Sequence, residues 1–156
     1  LNTAKHQHYG IPDKNKKNSL LDLKDIINII KKLYVSRDII FFNNTSCIII
    51  GEKNKLIDAI SAAIDNSLYW NTGKEAIEVN IDENNNFIDL IISDRGPGIL
   101  DEDKKNIFLK KYSKSSGNGI GLYIAKNIVV SYSGELFALD RDGGGLKMVF
   151  KFKVSK

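Results

Sequence analysis

Apolar residues recur at helical spacing from Lys24 to about Ser36. Ile26, Ile27, Ile30, Leu33 and Tyr34 share one face there and predict an amphipathic helix. Two short apolar runs follow, Ile39–Phe42 and Cys47–Ile50, separated by Asn43-Asn44-Thr45-Ser46, and they read as a pair of strands. A second helix is expected from about Glu52 to Trp70, with Leu56, Ala59, Ile60, Ala63, Ile64, Ser67 and Leu68 turned inward and Gly73 as a stop just beyond. Ile77, Val79 and Ile81 then alternate with polar residues, 83–86 makes a turn, and Phe87–Ser93 returns as a buried strand: a β-hairpin. A glycine-broken stretch, 94–118, precedes a third helix from Gly119 to about Ser131 that carries Ile120, Ile124, Ile128 and Val129. Gly134 opens the last pair of strands, about 135–141 and 146–154, joined by Gly143-Gly144-Gly145. Helices and antiparallel strands mix without a regular βαβ alternation, so the class is α+β, a sheet covered on one face by helices.

Composition narrows this picture. Residues 1–18 are polar, with Gly10, Pro12 and a lysine/asparagine run, and read as a linker or disordered leader before one domain, 19–156. Hydrophobic residues at 42% against charged residues at 27% give the balance of a chain that folds around a core. The formal charge is +4, but the lysines are scattered, so no nucleic-acid partner is expected; mild basicity would suit an anionic ligand. Cys47 is the only cysteine, which leaves no intrachain disulfide and points to a reducing, cytoplasmic compartment. No apolar stretch approaches the roughly 20 residues that span a bilayer, so this domain is expected to make no membrane contact. The chain does not begin with Met and reads as a piece of something longer, with any sensor or membrane anchor outside it.

Three patches are polar or glycine-rich where a plain fold would not need them. Asp65-Asn66 lies within the second predicted helix, and Ala62, Asn66 and Trp70, spaced by four, share one helix face. An amide oxygen there could ligate a hard cation, leaving the other positions to phosphates and water as Mg²⁺ prefers. Asn66 also reads as a solvated amide at the edge of the apolar stripe. Asp94-Arg95-Gly96-Pro97-Gly98 follows a buried strand. Its glycines would let the backbone approach a planar ligand, and its carboxylate could accept from an exocyclic amine such as adenine N6. Asp, Gly and Pro equally make an ordinary turn. Gly117-Asn118-Gly119-Ile120-Gly121-Leu122 opens the third helix, where unpaired amides and the helix dipole favour a phosphate.

Together the three patches resemble the ATPase and kinase superfamily of histidine kinases, DNA gyrase, Hsp90 and MutL. Asp65-Asn66 is similar to its asparagine box, Asp94–Gly98 to its first glycine box and Gly117–Gly121 to its second. Ile107-Phe108 followed by Tyr112-Ser113-Lys114 resembles the phenylalanine box of histidine kinases, and Gly145 their last glycine position. The resemblance implies a Bergerat-type ATP-binding fold: a two-layer α/β sandwich whose mixed, mostly antiparallel sheet is covered by three helices. It also implies ATP and Mg²⁺ as cofactors. The nucleotide would be held by Asn66, Trp70, Asp94, Gly96, Gly98, Ile99, Lys114, Gly117, Gly119, Ile120, Gly121 and Leu122, with Asn66 on Mg²⁺ and Asp94 on adenine. Residues 110–118 would be a short lid, to which Lys110, Lys111 and Lys114 could lend phosphate contacts. Trp70 has the alternative of a core tryptophan at a helix end, and each lysine that of a solvated side chain.

The gyrase, Hsp90 and MutL branch carries a glutamate one helical turn before the asparagine to activate water. Ala62 stands there and has no proton acceptor, which favours a histidine kinase. The resemblance then implies transfer of the ATP γ-phosphate to a histidine on a separate dimerisation domain, with a response regulator as the next partner. His6 and His8, the only histidines, lie in the leader without the acidic neighbour of an acceptor site. Many histidine kinases carry Asn at the position of Ala62 and a basic residue at that of Tyr69. Those departures leave open a nucleotide-binding module with little or no kinase activity, beside the clamp ATPase as a further alternative.

Overall fold

The computed structural model describes residues 18–42, 45–110 and 120–155. Residues 1–17 of the expected leader, the Asn43-Asn44 pair, residues 111–118 of the expected lid and Gly119 lie outside the described residues.

A short strand, β1 (Ser19–Asp22), runs directly into helix α1 (Leu23–Leu33). Asp22 makes that junction: its carboxylate caps the helix by accepting from the Lys24 amide at 3.0 Å, and it also accepts from the Cys47 amide and the Ser46 hydroxyl. The helix ends at Leu33, earlier than Ser36, and Tyr34 turns its side chain away to the next helix. Then follow β2 (Ile39–Phe42), β3 (Ile48–Gly51) and the long helix α2 (Lys53–Trp70). The hairpin of β4 (Ile77–Asn84) and β5 (Phe87–Ser93) forms as predicted, with Asn85 at positive φ in its turn. Two short 3-10 turns, Asp101–Asp103 and Asn106–Phe108, lead toward α3 (Gly121–Ser131), and β6 (Glu135–Asp140) and β7 (Leu146–Lys153) close the chain.

Five strands form one sheet in the order β2-β4-β5-β7-β6, with β2 parallel to β4 and the other pairs antiparallel. The expected pairing of Ile39–Phe42 with Cys47–Ile50 is corrected. β2 pairs with β4, and β3 pairs instead with β1 in a separate two-stranded sheet. Both runs are wholly apolar, so neither has the alternation that would show which neighbour it faces. β1, Ser19-Leu20-Leu21-Asp22, has only two consecutive apolar residues, too few to announce a strand.

Ile77, Val79 and Ile81 of β4, Ile88, Leu90 and Ile92 of β5, and Met148, Phe150 and Phe152 of β7 all face the helices and are buried. Leu56, Ala59, Ile60, Ala63 and Ile64 of α2, with Ile124, Ile128 and Val129 of α3, supply the opposing layer. Each large side chain so buried contributes about 1.5–3 kcal/mol against exposure, which is what holds the helices to one face of the sheet. This is the expected α+β two-layer architecture. No helix among the described residues is long and apolar enough to cross a membrane.

Candidate functional site

β5 leaves the sheet at Ser93, and Asp94 follows it into a nearly closed position, 2% exposed. The neighbouring strand holds it there. The Asp94 amide donates to the Leu146 carbonyl at 3.0 Å, and the Leu146 amide donates back to Asp94 Oδ1 at 3.3 Å. The Gly96 amide donates to the same oxygen at 2.8 Å. Burial pushes the Asp94 carboxyl above the usual carboxylate range, while these two amides and the nearby Arg141 charge act against that rise. Oδ1 is taken by the backbone, and among the described residues Oδ2 has no hydrogen-bond partner.

Asp94 forms part of a cavity of about 300 Å³, whose other walls are Asn66, Trp70, Pro97, Gly98, Ile99, Leu100, Asp103, Ile107, Leu122 and Leu146. Its size is at the lower end for small-molecule pockets, and mainly apolar walls around few polar groups suit a flat heterocycle. Trp70 ends α2 and meets Tyr69 edge-on, with ring centroids 5.0 Å apart. One wall is pinned by Lys104, whose ammonium donates to the Ile99 carbonyl at 3.0 Å and pairs with Asp101 and Asp140. The two residues expected to begin a phenylalanine box divide: Ile107 lines the cavity, and Phe108 is buried in the core with the Lys126 ammonium 4.9 Å from its ring centroid.

The start of α3 differs from the other helix starts. α1 is capped by the Asp22 side chain and α2 by that of Glu52, whereas Ile120 caps α3 with no side-chain hydrogen bond. Leu122, in that turn, reaches the cavity wall. Among the described residues, the first amides of α3 thus present an uncapped positive dipole end beside the pocket.

Six of the expected site residues, Asn66, Trp70, Asp94, Gly98, Ile99 and Leu122, come together around this one cavity. Gly96, Ile120 and Gly121 are described but do not line it. Gly96 has a reason other than close approach to a ligand: a Cβ there would fall 2.3 Å from the Trp70 carbonyl oxygen. Lys114, Gly117 and Gly119 lie outside the described residues. Asp65 points away from the cavity residues, to α1, where its Oδ1 accepts from the Tyr34 hydroxyl at 2.6 Å. Leu100, Asp103 and Leu146 join the site without having been expected; only the folded sheet brings Leu146 beside Asp94.

The family model described as histidine kinase-, DNA gyrase B- and HSP90-like ATPase matches residues 51–156. The chain belongs to this family. Within it, the relatives are sensor kinases: the probable sensor kinase SilS of Salmonella typhimurium is 32% identical over 102 residues, 61% of this chain and 20% of that protein. The adaptive-response sensory kinase SasA of Prochlorococcus marinus is 25% identical over 113 residues, 68% of this chain and 30% of that protein. The chain spans between 20% and 30% of the length of the curated relatives it matches. Among solved structures, a mycobacterial sensor histidine kinase, MprB, shares the fold with a TM-score of 0.76 at 20% identity, covering 88% of this chain and 97% of that one. Histidine kinase ThkA in complex with response regulator protein TrrA superposes with a TM-score of 0.74 at 16% identity, covering 88% of this chain and 42% of that one. This chain corresponds to the histidine-kinase-like ATP-binding domain of those proteins.

Proposed function

We propose that the cavity takes the adenine of ATP against Asp94, that Asn66 ligates Mg²⁺, and that the uncapped start of α3 receives the phosphates. The domain then passes the γ-phosphate to a histidine on a separate dimerisation domain, and a response regulator takes it onward. The observation that carries this reading is the buried Asp94 carboxylate. One oxygen is held by two amides and the other is free for a ligand, in a cavity that also reaches Asn66 and the first turn of α3.

Adenine offers an N6 donor to that oxygen, whereas guanine offers a carbonyl and would leave the carboxylate facing an acceptor. Among the described residues no group of three or more His, Cys, Asp and Glu could hold a metal ion alone. Mg²⁺ keeps several waters and takes few protein oxygens beside substrate phosphates, so the single amide oxygen of Asn66 is compatible with that ion. Bound Mg²⁺ would neutralise charge on the phosphates. With Ala62 in place of a water-activating acid, the chain's own contribution is positioning and electrostatics, as phosphoryl transfer requires. The TrrA complex of ThkA supports the response regulator as partner. Cys47, the single cysteine of the chain, is buried, which supports a cytoplasmic setting, and the strand at Ser19–Asp22 supports counting that segment in the working unit, 19–156.

Calorimetry on the Asp94→Asn variant tests the base assignment. ATP affinity is expected to fall by about tenfold or more and the preference for ATP over GTP to shrink. Unchanged affinity would remove Asp94 from the base site.

A second reading, a nucleotide-binding module with little transfer, is favoured by Tyr69. It is 49% exposed and supplies no positive charge where histidine kinases are expected to place one. The two readings part in a transfer assay with an added histidine domain.

A further inference from the structure

Arg95 stands between Asp94 and Gly96 but is not among the residues that line the cavity. Its contacts run the other way. The Arg95 amide donates to Asn71 Oδ1 at 2.8 Å, and Asn71 Nδ2 donates to the Glu75 carbonyl at 2.8 Å. Its Nε donates to the Glu75 carboxylate at 3.2 Å, and its Nη1 donates to the Asp142 carbonyl at 2.8 Å and the Gly144 carbonyl at 3.2 Å. Packing is close on both sides. A Cβ on Gly73 would lie 3.1 Å from Arg95 Cβ, and one on Gly143 would lie 3.1 Å from Nη1. One side chain therefore joins the loop after α2 to the turn between β6 and β7, across the strand end that carries Asp94.

The β6–β7 turn delivers two things to the pocket. The Leu146 amide donates to Asp94 Oδ1, and the Leu146 side chain forms part of the cavity wall. At 3.3 Å that amide bond is at the long end of the useful range, so it depends on where the turn sits. The exposed Arg95–Glu75 ion pair contributes little by itself. Reaching the Glu75 carboxylate through Nε and the two turn carbonyls through Nη1 at once is what a planar guanidinium supplies and a lysine does not.

We infer that Arg95 is a positioning residue of the base pocket: by gripping the Asp142 and Gly144 carbonyls while anchored on Asn71 and Glu75, it sets the Leu146 amide and the Asp94 carboxylate where adenine needs them. This rests on the reading of Asp94 as the base-selecting group. Arg141 holds the same turn from the other side through Glu78, with its Nη2 2.6 Å from that carboxylate. Loss of Arg95 is therefore expected to loosen the turn locally and not to release it.

The test uses the 156-residue chain with Arg95→Met and Arg95→Lys, titrated with ADP and separately with inorganic tripolyphosphate. ADP affinity is expected to fall about tenfold in Arg95→Met, with Arg95→Lys between it and the parent, while tripolyphosphate affinity stays within about twofold. A structural role alone would not separate the two probes. Unchanged ADP affinity in folded Arg95→Met overturns the inference, and so does a parallel loss of ADP and tripolyphosphate. If Arg95→Met does not fold, Arg95→Lys decides by the same outcomes. If Asp94→Asn also leaves ADP affinity unchanged, the base assignment itself has failed. If Asp94→Asn weakens ADP and the Arg95 variants do not, only the role of Arg95 is lost.

Discussion

Two glycines near this site differ in what the fold itself demands of them. Gly145 has φ +107°, and a Cβ on it would stand 1.9 Å from the Asp94 carbonyl oxygen, so the fold itself forbids a side chain. Gly121 has no such constraint: among the described residues a Cβ there would meet only Ala62 Cβ, at an ordinary 3.6 Å. If the ligand is what requires Gly121, Gly121→Ala leaves stability within about 1 kcal/mol while weakening ATP binding. Gly145→Ala, in contrast, is expected to cost about 2 kcal/mol or more. Denaturant melts and calorimetry on the two variants check the contrast. Asp94 carries a pH prediction at the same scale. Its folded carboxyl is raised by burial, so the folded state keeps the proton better than the unfolded one, and ionising Asp94 lowers stability as pH rises through that raised value. Binding runs the other way, because adenine needs the ionised acceptor. ATP affinity is expected to fall on acidification, beginning above the usual carboxylate range, and the Asp94→Asn variant should lack that step.

Between elements, Tyr34 adds a polar contact from the end of α1 to α2, beside the apolar packing of Ile26, Ile27 and Ile30 in the shared core. Tyr34, just past the end of α1, donates to Asp65 Oδ1 and lies near the Ser61 carbonyl, both on α2. Burial, then the Asp65 carboxylate, raises the Tyr34 hydroxyl well above its ordinary value of 10.0. Its contribution to stability is therefore full below about pH 10 and is lost as pH climbs beyond it. Tyr34→Phe is expected to cost about 1–2 kcal/mol, to flatten the alkaline limb of the stability profile, and to leave nucleotide affinity unchanged. Thermal melts across pH, paired with ATP titration, would show whether Asp65 serves the fold, as its contacts indicate, or the ligand.

For the whole molecule, the site is open to ligand chemistry but holds no acceptor of its own among the described residues, which contain no histidine. Labelled γ-phosphate is expected to appear on an added histidine-bearing helical domain and not on the chain incubated alone. Label retained on this chain would place the acceptor at His6 or His8 and contradict transfer to a separate domain.

Short-range chemistry wrote itself plainly into the sequence. Apolar spacing marked the three helices and the β4–β5 hairpin, because a helix or a strand buries a face at its own period. Asn66, the Asp94–Gly98 run and the Gly117–Gly121 run pointed to the family, because such residues carry their conformational and ligand preferences with them. Pairing over distance was not legible. Nothing local told β2 to join β4 and β3 to join β1, or turned Asp65 and Asn66, neighbours on one helix, to different partners. Only the closed sheet set Leu146 on Asp94, 52 residues away, and gave Arg95 two carbonyls to grip. Those contacts depend on which strands lie side by side, and that is decided by the packing of the whole core.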